Sequence, residues 1–318
     1  MNITIIIPTR NRFDELKRLI FYYKDQKFTG NIFLVDSSQI KVFRKTKKYL
    51  KNLKCKKIKH FRYVGRPFEC TKFVTNKIKT KYVCWSGDDD FYIVNGIKKS
   101  IKILERNREI GALNGLSIVT KLTKRNSLNF MSWSIYDNFE SSNPKSINRL
   151  IKILNNYKVP IFSIFRTKNF TRIMRYIPGR SDRKLCPTRI IHDEYLESFL
   201  ITHFNKIYYF NFPFLIRTVP DKKYATQSVE NLKKNSRFNF ERQKSIIYLK
   251  NIFNKLLKND EDKKLFSNNL EIFFDKINKK KINFIFFKFL NMQTRKCYIK
   301  LFTKNIDYFL KIINNIKN

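Results

Sequence analysis

The N-terminal third of the chain alternates between short apolar runs and segments with helical spacing of apolar residues. The run at residues 3–7 is continuous and β-branched, as is typical of a strand buried on both faces. Residues 12–24 place apolar side chains three and four positions apart, as an amphipathic helix does. Strands and helices that follow each other at this spacing predict βαβ units and a parallel sheet.

The alternation continues up to residue 107. We expect strands at residues 3–7, 31–35, 59–64 and 81–85, and helices at residues 12–24, 41–53, 67–79 and 94–107. Ligands of such sheets bind at the carboxyl ends of the strands, where Pro8, Asp36 and Asp88 fall.

The C-terminal part has a different composition. Pro220 is the last proline, and no glycine follows Gly179. A long stretch without either residue is expected to be mostly helical. We therefore predict two units, a sheet domain at residues 1–220 and a helical extension at residues 221–318.

The charge balance is strongly basic, with 67 Lys and Arg against 25 Asp and Glu and a formal net charge of +42. Such a charge attracts polyanions such as nucleic acid, anionic lipid headgroups or phosphorylated substrates. An AT-rich genome explains part of the lysine excess, though not the scarcity of acids. The sequence contains no RNP, helix-turn-helix or zinc pattern of a nucleic-acid-binding module.

The expected compartment is the cytoplasm. The five cysteines show no C-x-x-C spacing, and their odd number favours reduced thiols. Residues 1–8 lack the basic region and cleavage site of a signal peptide. No uninterrupted apolar stretch approaches the length of a transmembrane helix.

Three consecutive acids, Asp88, Asp89 and Asp90, follow an apolar run and Gly87. Packed carboxylates raise each other's pKa unless a positive group lies among them. A divalent cation such as Mg²⁺ is one such group, since it is held by one or two carboxylates and substrate phosphates. The alternative is a solvated acidic turn.

Four motifs in order resemble the family 2 glycosyltransferases of GT-A type. They are Ile-Ile-Ile-Pro-Thr-Arg-Asn-Arg at residues 5–12, Phe-Leu-Val-Asp-Ser-Ser at 33–38, Gly-Asp-Asp-Asp-Phe at 87–91 and His-Asp-Glu at 192–194. The resemblance spans residues 1–217. It implies an α/β fold with a Rossmann-like, mostly parallel sheet flanked by helices, followed here by the helical extension.

The resemblance also implies a metal-dependent site for a nucleotide sugar, UDP- or GDP-linked. Asp90 stands at the position of the ligand to Mn²⁺ or Mg²⁺. Asp88 stands at the position of a ribose contact or second ligand. Because Asp89 is also an acid, the three residues can be aligned with the family's metal motif in registers that differ by one residue. A cation there would neutralise the charge that develops on the leaving diphosphate.

Further nucleotide contacts follow from the same resemblance. The first loop supplies Pro8, Thr9, Arg10 and Arg12. Asp36 resembles the acid that contacts the nucleobase, with a turn or helix-cap role as the alternative. From the helix before the acidic run, Lys72 can reach a phosphate, although a lysine in this chain is more often merely solvated.

The motif at residues 192–194, which we call the second acidic motif after the run at 88–90, predicts the catalytic base. Asp193 and Glu194 open a helix, where an acid also compensates the helix dipole. The family order is Glu-Asp with the second acid as base, so motif position favours Glu194 and residue type favours Asp193. A general base next to the acceptor hydroxyl implies direct displacement with inversion at the sugar carbon.

These features together predict a glycosyltransferase that acts on a glycan, lipid-linked or protein acceptor, with no specific nucleic acid partner. The alternatives are a basic nucleic-acid-binding protein and a sugar nucleotidyltransferase. Residues 281–316 have the pattern of basic amphipathic helices. Such helices either pack onto the domain or lie on the inner face of a membrane.

Overall fold

The structure is a computed structural model that describes residues 1–122, 128–133, 139–179, 191–219 and 238–279. Its strands are β1 Ile3–Thr9, β2 Asn31–Asp36, β3 Ile58–Arg62, β4 Tyr82–Trp85, β5 Phe91–Tyr92, β6 Ala112–Leu122, β7 Leu128–Trp133, β8 Ile164–Arg166 and β9 Ile207–Val219. Its helices are α1 Phe13–Asp25, α2 Ile40–Leu53, α3 Pro67–Thr75, α4 Val94–Arg106, α5 Ser146–Asn155, α6 Thr167–Tyr176, α7 Glu197–Phe204, α8 Phe238–Leu256 and α9 Asp260–Lys279. A π-helical segment, Ile191–Leu196, leads into α7.

The described strands form one mixed sheet in the order β3-β2-β1-β4-β8-β6-β9-β5, with β7 paired to β6. Strands β1 to β4 pair with one another in parallel, as the alternating sequence pattern predicts. Beyond β4 the pairing becomes mixed: β8 is antiparallel to both β4 and β6, while β6 and β9 are parallel. The expected α/β sheet flanked by helices is confirmed, and its parallel half carries the first three predicted motifs.

The centre of the parallel half is β1, because it lies between β2 and β4. Ile3, Ile5, Ile6 and Ile7 are completely buried, which explains the continuous β-branched run. Parallel pairing brings the carboxyl ends of β1, β2 and β4 to the same edge. There Thr9 lies opposite Asp36, and Ile6 lies opposite Trp85. Only Ser86 and Gly87 separate Trp85 from the three acids.

The predicted helices are confirmed, with shifted ends. The third ends at Thr75 instead of residue 79. Close packing against the sheet is clearest at Gly96 in α4, where an added Cβ would lie 2.5 Å from the Pro213 carbonyl oxygen of β9. Only glycine permits this approach between helix and strand.

The described part of the predicted C-terminal extension consists of α8 and α9, which confirms its helical character up to residue 279. Their aromatic rings pack onto α7: Phe199 contacts Phe253, Phe266 and Phe273 with ring centroids 5.6–6.5 Å apart. These helices therefore share the hydrophobic core of the sheet domain. The division at residue 220 remains a prediction.

The remainder of the extension, with the basic amphipathic pattern at 281–316, lies outside the described residues. Within the described helices, none combines the length and the apolar character that crossing a membrane requires.

A histidine in α7 predicts how the stability of the fold depends on pH. His203 packs against the ring of Phe253, and burial next to Arg149 and Arg172 lowers its pKa from 6.5 to about 4. The folded protein therefore keeps it neutral, while the unfolded chain binds a proton below pH 6.5. Its contribution to stability is complete above that pH and is lost as the pH falls towards 4.

When the pH falls from 7 to 5, the unfolding free energy of the wild type should drop by about 2 kcal/mol more than that of His203→Phe. The reason is that the phenylalanine ring takes up no proton. Urea denaturation of both proteins at the two pH values measures this difference. An identical pH dependence in both proteins would contradict a neutral, buried imidazole.

Candidate active site

The three acids form a tight turn between β4 and β5, which we call the acidic turn (residues 87–90). An added Cβ at Gly87 would lie 2.9 Å from Asp90 Oδ2 and 3.1 Å from Asp89 Oδ1. The Ser86 hydroxyl donates to the Asp90 carbonyl oxygen at 3.1 Å and closes the turn. A larger residue at this position would therefore displace the Asp89 and Asp90 carboxylates.

The loop after β1 holds the acidic turn through a bridging guanidinium. Arg12 Nη1 lies 2.8 Å from Asp88 Oδ1, and Arg12 Nη2 lies 2.6 Å from Asp89 Oδ2. The Thr9 hydroxyl donates to the second oxygen of Asp88 at 2.7 Å. We call this arrangement the Arg12 bridge. It joins the carboxyl ends of β1 and β4 by charge-assisted hydrogen bonds.

Burial shifts the pKa values of the charged groups in this bridge. Desolvation raises the pKa of Asp88 to about 7, and the charge of Arg12 opposes that rise. Desolvation also disfavours the charge of Arg12, but Asp88 and Asp89 outweigh it and raise the Arg12 pKa above its ordinary value. Arg12 therefore stays charged, and ionisation of Asp88 near neutral pH depends on it.

The third acid points to a different strand. Asp90 Oδ1 accepts a hydrogen bond from the backbone N–H of Thr218 at 3.2 Å, near the carboxyl end of β9. The acidic turn thus contacts both the parallel and the mixed halves of the sheet.

Asp88 and Asp90 were predicted as the ligands of Mn²⁺ or Mg²⁺. Their oxygens suit such hard cations in type. Both oxygens of Asp88 are engaged, however, by Thr9 and Arg12. In the part of the chain that the structure describes, no three His, Cys, Asp or Glu side chains are grouped to hold a metal. As arranged, the residues do not fit a centre built on this pair, because a guanidinium occupies the positive position on Asp88.

Asp36, the predicted nucleobase contact, lies in the interior at the end of β2, with 0% of its surface exposed. His60 Nε2 lies 3.0 Å from one carboxylate oxygen, and the Ser38 N–H donates to the other at 2.8 Å. Burial raises the Asp36 pKa, but these hydrogen bonds outweigh it and lower the pKa overall. In this conformation Asp36 organises the loop after β2, and a direct contact with a base remains a prediction.

The loops after β1 and β2 are tied to each other. Asn11 has a left-handed backbone, with φ of 57°. Its N–H donates to Ser38 Oγ at 2.7 Å, and its side-chain oxygen accepts from the Gln39 N–H at 2.9 Å. Asparagine tolerates this backbone conformation better than most residues. The two loops therefore form one rim.

The other first-loop candidates differ in position. Pro8 is half-buried within β1, and Arg10 is exposed at the rim. Lys72, the predicted phosphate contact on α3, donates to the Ile177 carbonyl oxygen at 2.5 Å. It ties α3 to the segment after α6, so a phosphate contact would require it to leave this carbonyl.

Asp193 and Glu194 are the two candidates for the catalytic base. Glu194 lies on the π-helical segment before α7, while the side chain of Asp193 lies outside the described residues. The Tyr157 hydroxyl donates to Glu194 Oε1 at 3.0 Å and lies 3.1 Å from Ser198 Oγ. Glu194 reaches the surface, yet desolvation by surrounding protein raises its pKa, against the opposing effects of Tyr157 and Arg217. A raised pKa suits a general base near neutral pH.

Strand β9 connects the two acidic motifs. Arg217 lies within electrostatic reach of Glu194, and the next residue, Thr218, binds Asp90. The guanidinium of Arg217 stacks over Phe162 at 4.3 Å, and Phe162 contacts Trp85 at 5.6 Å. The sequence predicted the two motifs separately, without the strand that brings them together.

The fold is similar to that of TarS from S. aureus, a glycosyltransferase. The structure of TarS 1–349 in complex with UDP-GlcNAc has a TM-score of 0.50 and 14% sequence identity, and the match covers 100% of this chain and 90% of that one. TarS 1–349 in complex with UDP gives 0.49 and 14%, covering 100% and 89%. A longer TarS structure gives 0.46 and 14%, covering 99% and 55%.

No protein-family model and no curated protein sequence matches the chain. The likeness to the UDP-GlcNAc complex supports the shared α/β fold.

The Arg12 bridge predicts a loss of stability on substitution. Arg12→Gln leaves two nearly buried carboxylates without their cation and should lower the unfolding free energy by about 2 kcal/mol, less than for a fully buried pair because Arg12 is partly exposed. Arg10→Gln, two positions earlier and exposed, is the matched control, with an expected change within about 0.5 kcal/mol. Urea denaturation measures both, and equal losses would contradict the bridge.

Proposed function

We propose that this chain is a glycosyltransferase that takes its sugar from a nucleotide-sugar donor, with a UDP-linked donor favoured over a GDP-linked one. The observation that carries the proposal is the acidic turn, held by Thr9 and Arg12 where the carboxyl ends of parallel strands meet. Open α/β sheets bind their ligands at such edges. The fold shared with TarS bound to UDP-GlcNAc supports the choice of donor.

In this proposal the rim formed by the loops after β1 and β2 receives the nucleotide. Asp88 and Asp89 lie towards the ribose, and the loop organised by Asp36 lies towards the base. The exposed side chain of Arg10 stands at the same rim, where a guanidinium can pair with a diphosphate. Assignment to family 2 belongs to the same proposal and rests on the four motifs.

A divalent ion, Mn²⁺ or Mg²⁺, enters the proposal through Asp90, whose Oδ1 accepts from the Thr218 N–H, whereas Arg12 supplies the positive charge on Asp88. With donor phosphates as its remaining ligands, such an ion would neutralise charge on the departing diphosphate.

The transfer itself requires a base and a leaving group. The acceptor hydroxyl loses its proton to the carboxylate of Glu194, with Asp193 as the alternative, and its oxygen attacks the anomeric carbon. The bond from that carbon to the phosphate oxygen breaks, and the nucleoside diphosphate leaves with the electron pair. Direct displacement inverts the configuration of the sugar carbon. The acceptor is a glycan, a lipid-linked glycan or a protein, and the site of action is cytoplasmic.

The donor site predicts a selective change in nucleotide binding. Wild-type protein should bind UDP and UDP-sugars by calorimetry, more tightly with Mn²⁺ than with a chelator. Asp90→Ala should abolish the increment that depends on Mn²⁺, because it removes the proposed ligand. Asp14→Ala, an exposed acid in the first turn of α1, is the control and should retain it.

Two results would count against this function. Absence of binding to both UDP and GDP, with or without Mn²⁺, would remove the donor site. Retention of DNA or RNA that is lost at high salt, without nucleotide-sugar binding, would favour the nucleic-acid-binding alternative.

A further inference from the structure

Three side chains next to the second acidic motif form a hydrogen-bonded chain. A tyrosine hydroxyl carries one hydrogen, and Tyr157 donates it to Glu194 Oε1 at 3.0 Å. Ser198 Oγ, 3.1 Å from the same hydroxyl, must then be the donor to the Tyr157 oxygen. Ser198 is buried, at 1% exposure, whereas Glu194 reaches the surface.

We propose that Tyr157, supported by Ser198, is a positioning residue that holds Glu194 as the general base of the transfer reaction. This inference rests on the proposed function and deepens it, since it chooses Glu194 over Asp193. A carboxylate that receives one hydrogen bond from the protein interior has a fixed orientation, while its other oxygen is available to an acceptor hydroxyl.

The ring of Tyr157 is itself fixed by packing. It contacts Tyr195 edge-on at 4.8 Å and Phe273 of α9 at 5.8 Å. Phe273 also contacts Tyr195, at 5.2 Å. The helical extension thereby supports the tyrosine that holds the base. This gives α9 a role in the reaction although it supplies no reacting group.

The charges around Glu194 determine how its titration responds. Among the described residues, Arg217 from β9 and the Tyr157 hydroxyl favour the carboxylate. Tyr195 also interacts electrostatically with Glu194, and Glu197 interacts with Tyr157. A hydrogen bond to the ionised form lowers the pKa of an acid, so its removal must raise the Glu194 pKa.

The test compares Tyr157→Phe with wild type. The substitution keeps the ring that packs on Tyr195 and Phe273 and removes only the hydroxyl. We expect the Glu194 pKa to rise by about one unit, measured by carboxyl ¹³C NMR of glutamate-labelled protein. Glu194→Gln identifies the resonance by its loss. Ser198→Ala should raise the pKa less, because it acts through Tyr157.

The same variants are assayed for sugar transfer against pH. The base works as a carboxylate, so activity falls as the pH drops through its pKa. With Tyr157→Phe the acid limb of the kcat profile should move up by the same shift, and kcat on the plateau above that limb should fall about tenfold, because the carboxylate loses its fixed orientation. The KM for the nucleotide sugar should stay unchanged. Tyr176→Phe, an exposed tyrosine on α6, is the control.

Each outcome decides a separate point. An unchanged Glu194 pKa in Tyr157→Phe overturns the positioning role. A raised pKa with an unmoved acid limb overturns Glu194 as the base and favours Asp193. Absence of transfer by the wild type from every UDP- and GDP-sugar, together with a raised pKa, removes the proposed function and the catalytic role while the hydrogen bond stands.

Discussion

The site depends on the neutralisation of two adjacent carboxylates, Asp88 and Asp89, after a buried strand. Isolated in the interior, Asp88 and Asp89 would repel each other and take up protons. The Arg12 bridge supplies the opposing charge from the neighbouring strand, so β1 and β4 are joined at their carboxyl ends by their side chains as well as by the sheet. Arg12 is also the N-cap residue of α1, so the position of the first helix and the geometry of the acidic turn are coupled.

The mixed half of the sheet completes the arrangement. Strand β9 ends between the two acidic motifs: its Thr218 N–H holds Asp90, and its Arg217 acts on Glu194. Behind this second motif, α9 packs Phe273 against Tyr157 and Tyr195. The acidic turn and Glu194 therefore both interact with the same end of β9.

The sequence was sufficient for the parts of the fold that local patterns determine. The isoleucine run predicted β1, helical spacing predicted α1 to α4, and the absence of glycine and proline predicted the helices after residue 220. The antiparallel pairing of β8 was not predictable in this way, because a strand of three residues between two helices carries no period. Sequence periodicity also does not show which distant strands pair, so it could not predict that β9 lies between β6 and β5.

The same limit applies to the site. The acids stood out in a basic chain, but their partners did not. Arg12 was predicted as a nucleotide contact, but the fold brings its guanidinium onto Asp88, a residue far from it in sequence. Tyr157, Ser198 and His60 belong to segments without a motif, and His60 meets Asp36 only because β3 pairs with β2. Hydrogen-bond complementarity between distant residues leaves no signal in a single sequence.

The most direct test of the central claim is a crystal structure of the protein soaked with UDP. We expect the nucleotide along the carboxyl ends of β1, β2 and β4, with a carboxylate of the acidic turn within hydrogen-bond distance, about 3 Å, of the ribose. UDP bound on a different surface, with the acidic turn untouched, would contradict it.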